Sequence, residues 1–165
     1  PNAGKSTLLS GLSAANPKVA DYPFTTLEPQ LGVLNFRYEE PCIIADIPGL
    51  VEGAHQGVGL GHKFLRHVER TSILLHVIDC SDDNLFENFK VIEKELELYK
   101  KELIDRSKII VLNKTDMVDE EMVQEFKDYF STKADKVVAI SGMTGKNIDV
   151  LKDELEEIMS RRRLS

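Results

Sequence analysis

Four short segments and one threonine pair carry residues whose types and spacing suit phosphate and purine chemistry. Pro1-Asn2-Ala3-Gly4-Lys5-Ser6-Thr7 fits the last part of the phosphate loop G-x-x-x-x-G-K-[ST]. In that loop successive backbone N–H groups wrap a β-phosphate at the positive end of a helix. Lys5 is placed to neutralise the β- and γ-phosphates and the Ser6 hydroxyl to ligate Mg²⁺. Alone, the same residues are an ordinary helix start, and the motif's first glycine and the strand before it are not in the sequence. Asp46-Ile47-Pro48-Gly49 fits D-x-x-G. Asp46, at a strand end, would hold Mg²⁺ through a water while the Gly49 N–H reaches a γ-phosphate, whose presence would order the segment behind it. Alone, that tetrapeptide is a turn.

Asn113-Lys114-Thr115-Asp116 fits N-K-x-D and follows the apolar run Lys108–Leu112. The Asp116 carboxylate can accept from N1–H and the exocyclic amine of guanine, whereas adenine would leave it desolvated and unpaired. Asn113 is expected to tie the base loop to the phosphate loop, and the Lys114 stem to cover a face of the base. Ser141-Gly142-Met143 follows the run ending at Ile140, where a backbone N–H can donate to guanine O6. Thr25-Thr26 falls between the first helix and the following hairpin, where a threonine can complete Mg²⁺ coordination and sense the γ-phosphate. It reads equally as a solvated loop pair. The order of these segments, each at a strand end, points to guanine nucleotide binding with Mg²⁺.

The elements that would position these residues follow from periodicity. Thr7–Ala14 reads as a helix, Asn16–Pro29 as an irregular loop, and Gly32–Tyr38 with Cys42–Asp46 as a hairpin. The glycine-rich stretch Pro48–Gly61 reads as mobile, followed by a helix over His62–Glu69. Strands over Ile73–Asp79, Lys108–Leu112 and Lys136–Ile140 alternate with helices over Asn84–Lys101, Glu120–Tyr129 and Ile148–Met159. That alternation predicts an α/β fold: a P-loop NTPase three-layer sandwich, mostly parallel sheet with one antiparallel hairpin and helices on both faces. One domain over residues 1–165 is expected, lacking its first strand and the start of the phosphate loop.

Composition narrows the rest. The chain has 165 residues, a formal net charge of −7 and 42% hydrophobic residues. That charge argues against a surface that holds nucleic acid by electrostatics alone, so an RNA partner needs a local patch or another domain. Arg161-Arg162-Arg163 reads as a solvated helix end that suits the helix dipole, with a functional basic patch as the alternative. Cys42 and Cys80 are the only cysteines, which predicts core thiols in a reducing, cytoplasmic setting and no disulfide framework. The longest apolar runs fall far short of the roughly 20 residues of a membrane span.

Over nearly its whole length the sequence resembles the Obg family of GTPases. The resemblance rests on Asp21-Tyr22-Pro23-Phe24-Thr25-Thr26-Leu27, on Ala45-Asp46-Ile47-Pro48-Gly49-Leu50-Val51-Glu52-Gly53-Ala54, and on the run from Gly59-Leu60-Gly61-His62 to Glu69-Arg70. It implies a GTP-hydrolysing switch, with Thr26 rather than Thr25 as the direct Mg²⁺ ligand beside Ser6. It also implies a role in large ribosomal subunit assembly and in growth and stress control, with GTP, GDP, rRNA and the large subunit as partners and a monomeric chain. The family's glycine-rich N-terminal domain would precede Pro1. Gly142 and Met143 depart from the more usual Ser-Ala, a mild change for a backbone contact. Leu50 stands where Ras-like enzymes carry a water-orienting glutamine, so a slow unaided rate is expected, with Lys5, Thr26 and Gly49 left as stabilisers of phosphate charge. Asn2 matches a position that helps bind K⁺ in potassium-activated relatives, and reads equally as a turn former. A binding module with negligible hydrolysis, sensing GTP, GDP or guanosine tetraphosphate, is the competing expectation, and Leu50 favours it.

Overall fold

The computed structural model describes residues 3–13, 18–19, 30–45, 72–99 and 107–164. The fold grows from the run Ser107–Asn113, Ser-Lys-Ile-Ile-Val-Leu-Asn, which forms strand β5 and is buried on both faces. Such continuous burial is what a central parallel strand requires. β4 (Ile73–Asp79) and β6 (Lys136–Ala139) flank it in parallel, in the order β4-β5-β6. Alternate residues of β5 divide between two apolar layers. Ile109 and Val111 join Leu8 and Leu12 of helix α1 (Lys5–Leu12) and Leu151, Leu155 and Ile158 of helix α4 (Ile148–Leu164). Ile110 and Leu112 face Leu85 and Phe89 of α2 (Leu85–Tyr99) and Phe130 of α3 (Glu120–Phe130). Each fully buried Leu, Ile or Phe contributes about 1.5–3 kcal/mol, so these two layers hold the sheet in place. The α/β sandwich with helices on both faces is therefore present.

A second sheet is antiparallel, in the order β1-β2-β3, from β1 (Lys18–Val19), β2 (Gln30–Leu34) and β3 (Cys42–Ala45). The β2–β3 hairpin places Val33 opposite Ile43 and Leu34 opposite Cys42. Leu34, Cys42 and Ile44 pack on the α1/α4 layer, whereas Val33 and Ile43 are exposed.

The boundaries differ from the sequence reading in physically interpretable ways. β2 starts at Gln30 and stops at Leu34 instead of running to Tyr38: with Leu34 opposite Cys42, Tyr38 falls at the middle of the hairpin connection, where the Tyr38 and Glu39 N–H groups donate to Glu156 Oε1 of α4 (2.5 and 3.0 Å). β1 lies inside the segment read as irregular. α1 begins at Lys5 rather than Thr7, and α4 extends past Met159 to take in Arg161–Arg163. Arg161 pairs with Glu157 one turn back, as a solvated helix end does. α3 starts where expected, and Asp119 caps it by accepting from the Met122 N–H at 2.8 Å, an arrangement worth about 1 kcal/mol. Cys80 is buried and Cys42 half-buried, and both thiols are free. The helix read over His62–Glu69 and the glycine-rich stretch before it lie outside the described residues.

Candidate nucleotide-binding site

The described site residues converge at the C-terminal ends of β4, β5 and β6 and the start of α1, where open parallel sheets bind ligands. Gly4 precedes α1 with φ of 88°, in the left-handed region. A Cβ there would lie 2.4 Å from Asn113 Nδ2, so only glycine fits. No side chain caps α1 and its first turn holds no acidic residue. The positive end of this helix thus carries no competing carboxylate of its own. Lys5 is half-exposed, and Ser6 and Thr7 are exposed.

Asn113, the last residue of β5, is 2% exposed and uses both ends of its amide. Nδ2 donates to the Ala3 carbonyl at 2.8 Å, and Oδ1 accepts from the Gly142 N–H at 2.9 Å. One side chain therefore joins the phosphate-loop segment to the 141–143 loop, as the sequence reading expected of it. Thr115 is buried and fastens the same region, its hydroxyl and N–H both donating to the Ile140 carbonyl (2.9 and 3.2 Å). The Ser141 hydroxyl donates to Asp116 Oδ1 at 2.9 Å and accepts from the Thr144 N–H at 3.1 Å. The exposed Asp116 carboxylate is thereby oriented while remaining accessible. A Cβ at Gly142 would meet Asn113 Oδ1 at 3.5 Å and Thr7 Cγ2 at 3.6 Å, ordinary contact distances. The departure from Ser-Ala is therefore mild in steric terms. Met143 is 83% exposed. Gly145, at φ of 82°, turns the loop back so that its N–H donates to the Ser141 carbonyl at 2.8 Å.

Lys114 takes a left-handed backbone, φ 62°, and its ammonium pairs with Asp79 Oδ2 at 2.9 Å. Asp79 ends β4 directly opposite Asn113. Its Oδ1 accepts from the Ser81 N–H (2.8 Å) and hydroxyl (2.6 Å). Burial pushes the Asp79 carboxyl up, but Ser81 and the Lys114 ammonium outweigh it and hold it below the usual carboxylate value. Burial, helped by the negative charge of Asp79, raises the neighbouring Cys80 thiol to about 12.

Residues 1–114 match the family described as 50S ribosome-binding GTPase. The chain belongs to this GTPase family. Among curated relatives it is 61% identical over 161 residues to the GTPase Obg of Desulfotalea psychrophila, covering 96% of this chain and 43% of that protein. It is 52% identical over 159 residues to the GTPase Obg of Aquifex aeolicus, covering 94% and 46%. The chain thus spans less than half the length of these relatives. The resemblance to Obg proteins drawn from the motifs stands. In structure it is similar to the G domain of the T. maritima FeoB iron transporter, with TM-score 0.68 and 21% identity over 95% of this chain and 92% of that one. A crystal structure of Era with MgGDPNP and part of 16S ribosomal RNA gives TM-score 0.66 at 26% identity, over 94% and 52%. The fold is that of the P-loop GTPases.

Within this GTPase domain the structure brings together Ala3, Gly4, Lys5, Ser6, Thr7, Asn113, Lys114, Thr115, Asp116, Ser141, Gly142 and Met143. Asn2, Thr25, Thr26, Asp46, Ile47, Pro48, Gly49 and Leu50 lie outside the described residues. Asp79, which pairs with Lys114, and Ser81, which donates to Asp79, lie beside these residues and were not revealed by motif spacing. A carboxylate closing an apolar strand, with a serine two residues on, was their one signal in the sequence.

Proposed function

We propose that this domain binds GTP and GDP with Mg²⁺ and hydrolyses GTP to GDP and phosphate, slowly when unaided, as a molecular switch. The observation that carries the reading is Asn113, whose single amide couples the phosphate-loop segment to a base loop in which Ser141 presents Asp116. A phosphate cradle and a guanine-selective carboxylate held by one joint make a nucleotide site rather than two separate turns.

In this reading the α1 N-terminus and Lys5 take the phosphates, and Asp116 with the backbone of Ser141-Gly142-Met143 takes the base. Mg²⁺ would be held directly by Ser6 and Thr26 and through water by Asp46. The exposed Ser6 hydroxyl in the first turn of α1 suits a hard cation. The ion supplies charge neutralisation at the β- and γ-phosphates. Thr25, Ile47 and Pro48 would line the phosphate end, and Thr26 with the Gly49 N–H would report the γ-phosphate. The antiparallel and parallel sheets form separate ladders among the described residues.

The wider role we infer is large ribosomal subunit assembly tied to growth and stress control, in the cytoplasm, by a monomer that contacts rRNA mainly through a domain outside this chain. Support comes from the description of the family as 50S ribosome-binding and from the resemblance to Obg proteins, while the Era complex shows a related GTPase in contact with ribosomal RNA, there the 16S species. No described helix is long and apolar enough to cross a membrane. Leu50 favours a second reading, a module that senses GTP, GDP or guanosine tetraphosphate with negligible hydrolysis. Competition of GDP, ADP and guanosine tetraphosphate against labelled GDP tests the site, and loss of labelled GDP to ADP as readily as to GDP would refute it. Single-turnover hydrolysis in K⁺ and in Na⁺ at equal ionic strength, with and without large subunits, separates the two readings. We expect faster turnover in K⁺, lost in Asn2→Ala. Equal rates in both salts would reject the potassium role, and no turnover under any condition would favour the sensing module.

A further inference from the structure

Asp79 belongs to none of the nucleotide motifs, yet its two carboxylate oxygens are divided between two tasks. Oδ1 is occupied by the Ser81 N–H and hydroxyl, which fix the carboxylate's orientation. Oδ2 meets the Lys114 ammonium at 2.9 Å. The pair is partly buried, with the lysine side chain 32% and the aspartate 17% exposed. The sheet dictates this meeting. Asp79 and Asn113 are partners on the last rung of the β4–β5 ladder, and the Cys80 N–H extends it by donating to the Asn113 carbonyl at 3.0 Å. The chain then turns left-handed at Lys114. That conformation costs a non-glycine residue on the order of 1 kcal/mol or more and persists only where its surroundings hold it.

We infer that Asp79 is a positioning residue for the guanine site: by holding the Lys114 ammonium it fixes the alkyl stem that covers the base. The inference rests on the guanine reading above. A lysine stem in water samples many rotamers, and ordering it on ligand arrival costs up to about 2 kcal/mol. An ammonium already anchored at its far end has met most of that cost before the nucleotide arrives, which is preorganisation. The effect should appear in how long the nucleotide stays, since a covered base leaves slowly, and little in how fast it arrives.

The test is release of fluorescent GDP from the protein carrying its complete phosphate loop, followed by stopped flow. Wild type must first hold labelled GDP against ADP; failure there overturns the guanine reading itself, before any variant is made. Given that preference, Asp79→Ala should release GDP about tenfold faster, with association changed less than about twofold. Lys114→Met keeps the unbranched stem, removes only the ammonium, and should show the same acceleration. The double variant should be no faster than either single one, because both remove one interaction. Ser81→Ala leaves the backbone N–H on Oδ1 and should stay within about twofold of wild type. Unchanged release in Lys114→Met, additive effects in the double variant, or Ser81→Ala matching Asp79→Ala would each overturn the inference, the last two by showing that Asp79 serves the 80–84 turn instead. If Asp79→Ala does not fold, the Lys114→Met and Ser81→Ala pair decides alone.

Discussion

Replacing Asn113 by alanine removes the joint of the site, and its cost can be worked from two bonds. The side chain is almost fully buried, and its amide donates to the Ala3 carbonyl and accepts from the Gly142 N–H. A neutral hydrogen bond contributes about 0.5–1.5 kcal/mol net, and a buried partner left unsatisfied costs about 1–3 kcal/mol. Two bonds whose backbone partners regain some water on relaxation give a total of about 2–4 kcal/mol. Part appears in stability, because Ala3 and Gly142 belong to different segments of the fold. Part appears in binding, because the phosphate and base contacts lose their fixed spacing. We expect GDP affinity to fall about 10- to 100-fold, equivalent to about 1.4–2.7 kcal/mol, and the urea midpoint of the nucleotide-free protein to drop. Asn113→Asp sharpens the test. It keeps the acceptor for the Gly142 N–H but sets a carboxylate oxygen against the Ala3 carbonyl, so phosphate affinity should suffer at least as much as in Asn113→Ala. Isothermal titration with GDP and with guanosine, beside urea unfolding, reads both parts. If Asn113→Ala binds GDP within about twofold of wild type and unfolds at the same urea concentration, the coupling argument is wrong.

Asp116→Asn exchanges an acceptor for a donor, so guanine should lose on the order of 2–4 kcal/mol and xanthine should become relatively favoured; equal GTP affinity in a direct titration would defeat the assignment. Ser6→Ala removes one Mg²⁺ ligand but leaves the N–H cradle, so Mg²⁺-dependent GTP binding should weaken more than GDP binding, whereas equal losses would indicate a collapsed loop. Acid stability should reflect Glu93 on α2. Burial raises its carboxyl, but His76 and Lys108 outweigh that and hold it below 4.5. Its stabilising contribution is therefore complete above that value and is lost as pH falls through the lower folded one. Protonation also strands the Lys108 ammonium, which is only 4% exposed. Melting between pH 3.5 and 7 should fall steeply at the acid end, and Glu93→Gln should flatten the curve there; an unchanged slope would remove Glu93 from the account.

The legible parts of this protein are those governed by short-range patterns. β4 was readable residue for residue, because an apolar run bounded by Ser72 and, after Cys80, by the polar Ser81–Asn84 segment has one register. β5 lengthened by one residue at each end, Ser107 and Asn113, since a polar residue at a strand end obeys pairing rather than hydropathy. The end of β2 follows from the register, Leu34 opposite Cys42, which leaves Tyr38 and Glu39 in the connection, their N–H groups donating to the carboxylate of Glu156, more than a hundred residues away. No local signal announces such a partner. Lys108 is the sharper case. A lysine opening an apolar run reads as solvated, yet it is buried, and what keeps it there is a glutamate on α2. Pairing across a helix–sheet interface is invisible until the topology is known.

The site repeats that division between local and long-range information. The placing of Gly4, Asn113 and Asp116 at a helix start and a strand end was legible because their motifs set particular residues at fixed offsets along the chain. What holds those residues was not, since Ser141 reaches Asp116 across 25 residues and Asp79 reaches Lys114 across 35. These supports depend on three parallel strands ending at the same level, a property of the β4-β5-β6 register rather than of any motif. The β5 end is where they all meet: Asn113 grips the phosphate-loop segment and the 141–143 loop, and Lys114 leans on β4. A shift of β5 by one residue would face Asn113 away from Ala3 and put Leu112 or Lys114 in its place. In the proposed site, specificity would rest on the apolar packing of Ile109, Ile110, Val111 and Leu112, which fixes that register, as much as on the polar residues proposed to touch the nucleotide.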